Sequence, residues 1–171
     1  MTAVEVADDA GLSEREQCEI EPMPILPYRR ILDVPVSAMD IESAVSTIEK
    51  WIGEGASHFV CIRDVHGVMR AQADPELMAL HEEAGMVTPD GMPLVWLSRL
   101  KGAKTVSRVC GADLVDALCE GSRKKGYGLY LYGGKPGVAE LMAARLAERW
   151  PGVRIVGTDT PPFRALSLIH I

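Results

Sequence analysis

Long apolar runs are missing from this 171-residue chain. No stretch approaches the roughly 20 residues that a membrane-crossing helix needs, so none is expected. An excess of positive charge is missing too: 18 Lys and Arg stand against 24 Asp and Glu, a formal charge of −6. That balance excludes a general nucleic-acid binder, which depends on clustered cations. Met1 to Gly11 is acidic and has no apolar core, so no secretory signal is expected there. The four cysteines, Cys18, Cys61, Cys110 and Cys119, have no paired short spacing. This points to reduced thiols rather than a disulfide frame or a zinc site. His58, His66 and His81 lack the spacing of metal ligands, and there is no Asp-x-Asp of the kind that holds a metal–nucleotide diphosphate. What is present is 47% hydrophobic and 25% charged residues, the balance of a soluble globular protein with enough chain for one core.

Residues 1–27 hold seven acids against one Arg, followed by Pro22, Pro24 and Pro27. This composition predicts a disordered leader. A domain is expected from residue 28 to 165, opening with a short strand at Ile31–Val36. Asp40 is placed to cap a helix over Ile41–Ile52. The apolar run His58–Ile62 predicts a buried strand. Val65–Ala84 looks helical with a break at Asp74-Pro75, where Pro suits the first turn of a second helix. Met86–Thr88 predicts a strand, Pro89-Asp90-Gly91 a turn, and Met92–Leu100 a helix. Ala112–Lys125 has an amphipathic pattern stopped by Gly126. Tyr127–Tyr132 predicts another buried strand, Val138–Trp150 a helix with Leu141, Ala144, Leu146 and Ala147 inward, and Val153–Val156 a last strand. Strands alternating with helices at this rhythm predict an α/β domain with a mainly parallel sheet.

Ligands of open parallel sheets sit beyond the carboxyl ends of the strands. Three loops fall there. In the last, Gly133-Gly134-Lys135-Pro136-Gly137, glycines admit close backbone approach, a helix N-terminus follows, and Lys135 adds a cation. These features suit an anion such as a diphosphate, although a tight strand-to-helix turn explains the glycines equally well. Asp90, between Pro89 and Gly91, is a carboxylate on a stiff turn. That suits a general base, and it also suits an Asx turn or a cap for the next helix. Arg108 can clamp a phosphate or carboxylate through two nitrogens. Asp113 is placed to meet a sugar hydroxyl or simply to favour the first helical turn. Asp64 is open to a capping role and His66 to a packed core position.

Four strings in order, Thr88-Pro89-Asp90-Gly91-Met92-Pro93-Leu94-Val95-Trp96, Arg108-Val109-Cys110-Gly111-Ala112-Asp113-Leu114, Leu131-Tyr132-Gly133-Gly134-Lys135-Pro136-Gly137-Val138-Ala139-Glu140 and Pro151-Gly152-Val153-Arg154-Ile155-Val156-Gly157, resemble the WecG/TagA/CpsF family of bacterial glycosyltransferases. The resemblance runs from about Ile31 to Phe163. It implies a Rossmann-like three-layer α/β domain. It implies inverting transfer of an N-acetylmannosamine-type sugar, or its uronic acid, from a UDP-sugar to a polyprenyl-diphosphate-linked saccharide. The products serve wall teichoic acid, enterobacterial common antigen or exopolysaccharide. No cofactor and no metal are implied. The family is cytoplasmic and peripheral to the inner face of the membrane through a C-terminal appendage, and some members form homo-oligomers. Asp90 takes the place of the proposed catalytic base. Asp64, Arg108, Gly111, Asp113, Gly133, Gly134, Lys135 and Gly137 fall at candidate substrate-binding positions.

The sequence departs from the family in two places. Thr-x-Asn, frequent after the second strand, is here Ile62-Arg63-Asp64; the hydroxyl is lost, a charge replaces an amide, and Arg63 is expected to pair with Asp64. An exopolysaccharide-type member is the expectation. The chain is also shorter than the family domain, so a truncated domain is expected. Residues 166–171 are encodable as CTG TCT CTT ATA CAC ATC, which resembles a transposon-end adapter read in frame, so an artefactual tail is expected there, with a short natural strand as the other reading. The rival functional class is a non-catalytic nucleotide- or nucleotide-sugar-binding module, or an inactive fragment. Such a module would keep the glycine turn and Arg108 without needing Asp90.

Overall fold

In a computed structural model of the chain, residues 3–5 and 26–162 are described. Most of the expected leader, the domain end at residue 165 and the tail 166–171 lie outside them. In chain order the elements are β1 (Ala3–Glu5), β2 (Tyr28–Ile31), β3 (Val34–Ser37), α1 (Ile41–Glu54), β4 (Val60–Arg63), α2 (Val65–Ala73), α3 (Pro75–Glu83), β5 (Met86–Pro89), α4 (Met92–Leu100), α5 (Gly111–Lys125), β6 (Leu129–Tyr132), α6 (Val138–Arg149) and β7 (Ile155–Asp159). This is the mixed α/β alternation expected of a Rossmann-like fold, with small sheets. The chain divides into two compact units, Leu12–Ala117 and Leu118–Ile171 with Met1–Gly11, and each is taken by itself.

In the Leu12–Ala117 unit, three aspartates start three helices by one local rule. Asp40, Asp64 and Asp74 each accept the backbone N–H three residues on, from Ser43, Gly67 and Leu77. Each bond satisfies one of the orphan donors of a first turn. Pro75 follows its cap directly, so the break between α2 and α3 falls where the sequence placed it.

β4 and β5 pair in parallel, Val60 opposite Met86 and Arg63 opposite Pro89. The expected strand at Ile31–Val36 is instead an antiparallel hairpin, β2 with β3. It turns at Leu32 and Asp33, both with positive φ (46° and 65°), a conformation more usual for Asn-Gly. Two side chains hold these carbonyls in place: Arg30 donates to the carbonyl of Asp33 at 2.7 Å and Gln72 to that of Leu32. Ser37 Oγ accepts the Val87 N–H at 3.0 Å, which ties the hairpin to β5. Ile31, Val34, Val36, Cys61, Val68, Ala71, Ala84, Val87 and Leu94 form the core beneath. Burial of this apolar surface is the main stabilising term.

In the other unit β6 lies between two strands, β7 in parallel and β1 antiparallel, with Ala3 opposite Tyr132. A strand therefore forms inside the stretch expected to be disordered. Among the described residues, the parallel pairs β4–β5 and β6–β7 are joined by two antiparallel pairings, the β2–β3 hairpin and β1 on β6. α6 packs on β6 and β7 with Ala139 and Leu146 buried, whereas Leu141, Ala144 and Ala147, expected inward, are exposed. Gly126, with φ of 82°, ends α5 as expected. The buried Ser122 hydroxyl pins that exit by donating to the Tyr127 carbonyl at 2.6 Å and accepting the Arg154 N–H at 3.2 Å.

Candidate active site

The parallel pair β4–β5 delivers two carboxylates to its carboxyl edge. Asp64 and Asp90 follow Arg63 and Pro89, which face each other in register. The Asp90 backbone is fixed from both sides: its N–H donates to the Arg63 carbonyl at 2.8 Å, and the Pro89 carbonyl accepts the Val109 N–H at 2.9 Å. The second bond brings the segment before α5 against the Asp90 turn. Gly91 lies beside it, where a Cβ would make only ordinary contact, 3.6 Å from Pro93 Cδ and 4.0 Å from the Asp64 backbone.

Asp90 does not cap α4. The cap position is Gly91, which has no side chain to offer. The half-buried Asp90 carboxylate turns instead to Arg108. Its Oδ1 accepts from one terminal guanidinium nitrogen at 3.0 Å and from Nε at 3.3 Å, and Nε also reaches the Asp90 carbonyl at 3.1 Å. The Asp90 hydrogen bond is the chief cause holding the Arg108 guanidinium above its ordinary value, with the carboxylate charges of Asp90 and Asp113 adding to it. Asp113 is exposed in the first turn of α5, close enough to be felt by Arg108. Gly111 opens α5 against Ile62; a Cβ there would meet the Ile62 methyl at 3.4 Å. The apolar residue at the family's threonine position therefore fills space beside the start of α5.

Asp64 takes the capping role, its Oδ1 accepting the Gly67 N–H at 2.8 Å. The expected Arg63–Asp64 pair does not form. Arg63 turns away, donating from Nε to His81 Nε2 at 2.6 Å and from a terminal nitrogen toward Cys61 Sγ at 3.9 Å. Gly67 leaves room for it, since a Cβ would sit 2.9 Å from Arg63 Cδ. His81 is 1% exposed, and its Nδ1 lies 2.5 Å from the Leu77 carbonyl. With Nε2 accepting from Arg63, the proton belongs on Nδ1 and the ring is neutral. Burial, aided by the Arg63 charge, lowers its pKa. Burial likewise pushes the Cys61 thiol up. The core histidine is thus His81, while His66 is exposed. The hydroxyl of Thr88, two residues before Asp90, is wholly buried and has no hydrogen-bond partner among the described residues. Sequence reasoning missed both the Arg63–His81 pair and Thr88.

The glycine turn belongs to the other unit. Gly133, Gly134 and Gly137 all have positive φ (105°, 87° and 83°), so the turn's shape by itself requires glycine at these positions. The Gly133 N–H continues the sheet by donating to the Asp159 carbonyl at 2.8 Å. Gly137 caps α6 without a side-chain bond, and Lys135 is exposed beside it. The adjoining cavity, lined by Leu131, Tyr132, Gly133, Gly134, Val138, Ala139 and Met142, measures about 50 Å³. That is far below the several hundred Å³ of a pocket that encloses a nucleotide-sized ligand. Among the described residues no cluster of three or more His, Cys, Asp or Glu could hold a metal, and no helix is long and apolar enough to cross a membrane.

Compared with protein families, the chain matches the model described as the glycosyl transferase WecG/TagA/CpsF family over residues 29–168, a span that takes in both the Asp90 turn and the glycine turn.

Proposed function

The chain belongs to the WecG/TagA/CpsF family of glycosyl transferases, and on that premise we propose that it is an inverting hexosyltransferase using a UDP-sugar donor of the N-acetylmannosamine type. The acceptor is a polyprenyl-diphosphate-linked saccharide, and the setting is cell-surface polysaccharide synthesis at the inner face of the cytoplasmic membrane. The observation that carries this reading is the Asp90 carboxylate, fixed by backbone bonds on both sides and aligned by Arg108 at the edge of a parallel strand pair.

In the proposed step the acceptor hydroxyl oxygen attacks the anomeric carbon and its proton passes to Asp90. The bond from that carbon to the diphosphate oxygen breaks, UDP leaves with the electron pair, and the configuration inverts. A carboxylate is a weak base, so proton transfer accompanies C–O bond formation and no free alkoxide arises. Arg108 uses Nε and one terminal nitrogen on Asp90. Its other terminal nitrogen is the donor we assign to a diphosphate oxygen, where charge develops. In its own unit, the α6 N-terminus with Lys135 suits a second anionic contact. Ile62 in place of a hydroxyl residue and Asp64 in place of an amide alter the polar groups offered to the sugar, which supports a distinct donor or acceptor within the family.

The test is transfer of a radiolabelled sugar from UDP-N-acetylmannosamine to a short-chain polyprenyl-diphosphate-linked acceptor, with the anomeric configuration of the product read by NMR. A β-linked product is expected. Saturation transfer from the protein to UDP without any transfer of sugar, across a panel of donors and acceptors, would favour a nucleotide-sugar-binding module.

A further inference from the structure

Among the described residues, one helix face is left uncovered beside the candidate base. α4 is seated by Leu94, Val95 and Ser98, all buried. Its opposite side presents Met92, Trp96 and Leu100 at successive four-residue spacings, with Leu97 alongside. Trp96 is 57% exposed and Leu100 83%. Residues four apart lie on one helix face, so these side chains form one continuous apolar stripe about 12 Å long. A contiguous exposed stripe with a tryptophan at its centre marks a contact surface rather than ordinary solvent exposure.

The charge around it is equally one-sided. From Gly91 to Ala112 there is no Asp or Glu, but there are Arg99, Lys101, Lys104 and Arg108, in a chain whose net charge is −6. Arg99 is exposed but tethered, donating from Nε to the Val106 carbonyl at 2.9 Å, and Arg108 is held by Asp90. Lys101 and Lys104 are exposed at the C-terminal end of the helix. Arg29 donates to the Lys101 carbonyl at 2.8 Å, which anchors that end. The stripe starts at Met92, two residues from Asp90, so the apolar face and the candidate base share one end of the helix.

We propose that this face of α4 docks on an anionic lipid surface, with Met92, Trp96 and Leu100 entering the headgroup boundary and Lys101 and Lys104 meeting the anionic headgroups. The proposal rests on the lipid-linked acceptor of the preceding section, and it assigns the contact to the catalytic domain itself. Apolar side chains with a Trp on one face and Lys at its border are the composition of an interfacial helix. A second copy of the chain fits the face less well. Two-fold pairing sets a patch against itself, and the segment from Gly91 to Ala112 offers no carboxylate to meet the lysines of the other copy.

The test is sedimentation of the full chain with sucrose-loaded vesicles, of phosphatidylcholine alone or mixed with phosphatidylglycerol. Each lysine near an anionic leaflet is worth about fivefold in binding, so the two should favour the mixed vesicles by about twenty-fivefold. Trp96→Glu or Leu100→Glu should abolish binding, and Lys101→Glu with Lys104→Glu should remove the preference for anionic lipid. With Trp51 and Trp150 replaced by Phe, Trp96 emission should shift to the blue on mixed vesicles. Unchanged vesicle binding by Trp96→Glu overturns the proposal. So does a wild-type dimer in sedimentation equilibrium that Trp96→Glu splits, which would make a second copy the occupant. Trp96 emission that is blue-shifted without vesicles, and that moves to the red when residues 1–25 are removed, also overturns it, because the chain itself then covers the face. Vesicle binding does not depend on turnover. Trp96→Glu should keep transfer to a water-soluble acceptor, so failure of docking and failure of the transferase reading are seen separately.

Discussion

Replacing Asp90 by Asn separates a chemical role from a structural one. The turn that carries residue 90 is held by backbone bonds, Asp90 N–H to the Arg63 carbonyl and Val109 N–H to the Pro89 carbonyl, and neither involves the side chain. The amide has the same shape as the carboxylate, and the Arg108 bond to the residue 90 carbonyl survives the change. The ion pair that is lost is partly open to solvent, with side-chain exposures of 30% for Asp90 and 50% for Arg108. Pairs so exposed contribute little to stability. α4 loses no cap, because Asp90 supplies none. The variant should therefore melt within a few degrees of the wild type. Loss of a general base, by contrast, costs about 10²–10⁴ in rate, or roughly 3–5 kcal/mol in the barrier. The assay is transfer under saturating donor, with UDP-sugar affinity measured in parallel by titration. The expected result is a collapse in kcat with donor affinity nearly unchanged. If Asp90→Asn kept most of the rate, the base assignment would be wrong; if it unfolded, the turn would depend on the carboxylate after all.

Transfer activity should survive EDTA, because the sequence has no Asp-x-Asp and the proposed diphosphate contacts are cationic side chains and helix N-termini; loss restored by Mg²⁺ or Mn²⁺ would refute this. Stability should fall as pH drops below the ordinary histidine value of 6.5, since buried His81 has its pKa lowered and the unfolded chain takes up that proton first. The contribution is complete above 6.5 and declines until folded His81 also protonates, so the urea midpoint should fall between about pH 7.5 and 5.5, and by less in His81→Gln. Leu32→Asn with Asp33→Gly should raise stability by about 1 kcal/mol, read as a higher denaturant midpoint, because both positions occupy the left-handed region. No gain would mean that the Arg30 and Gln72 contacts alone set that turn.

The caps at Asp40 and Asp64, the Asp74-Pro75 break, the stop at Gly126 and the order of helices and strands were legible in the sequence because each is decided within about four residues. An N-cap needs only its own side chain and an N–H three positions on. The candidate base was legible for a different reason: Pro89, Asp90 and Gly91 follow a buried strand, and their motif resembles a known family. Other features had no local signal. Leu32 and Asp33 carry no turn signature; side chains from Arg30 and Gln72 hold their carbonyls. β1 pairs with β6, more than a hundred residues away, and nothing in Ala3–Glu5 announces that partner. Arg63 had an adjacent acid in sequence and chose His81, because strand geometry sends successive side chains to opposite faces and α3 sets an acceptor beneath. Asp90 had a helix to cap in sequence and pairs with Arg108 instead, because the Val109–Pro89 bond brings the two together. Sequence alone determined where the helices start and stop, and which residue types could do chemistry. Tertiary structure decided which of those residues meet, because contacts across 18 residues or more depend on how the elements pack and not on any local preference.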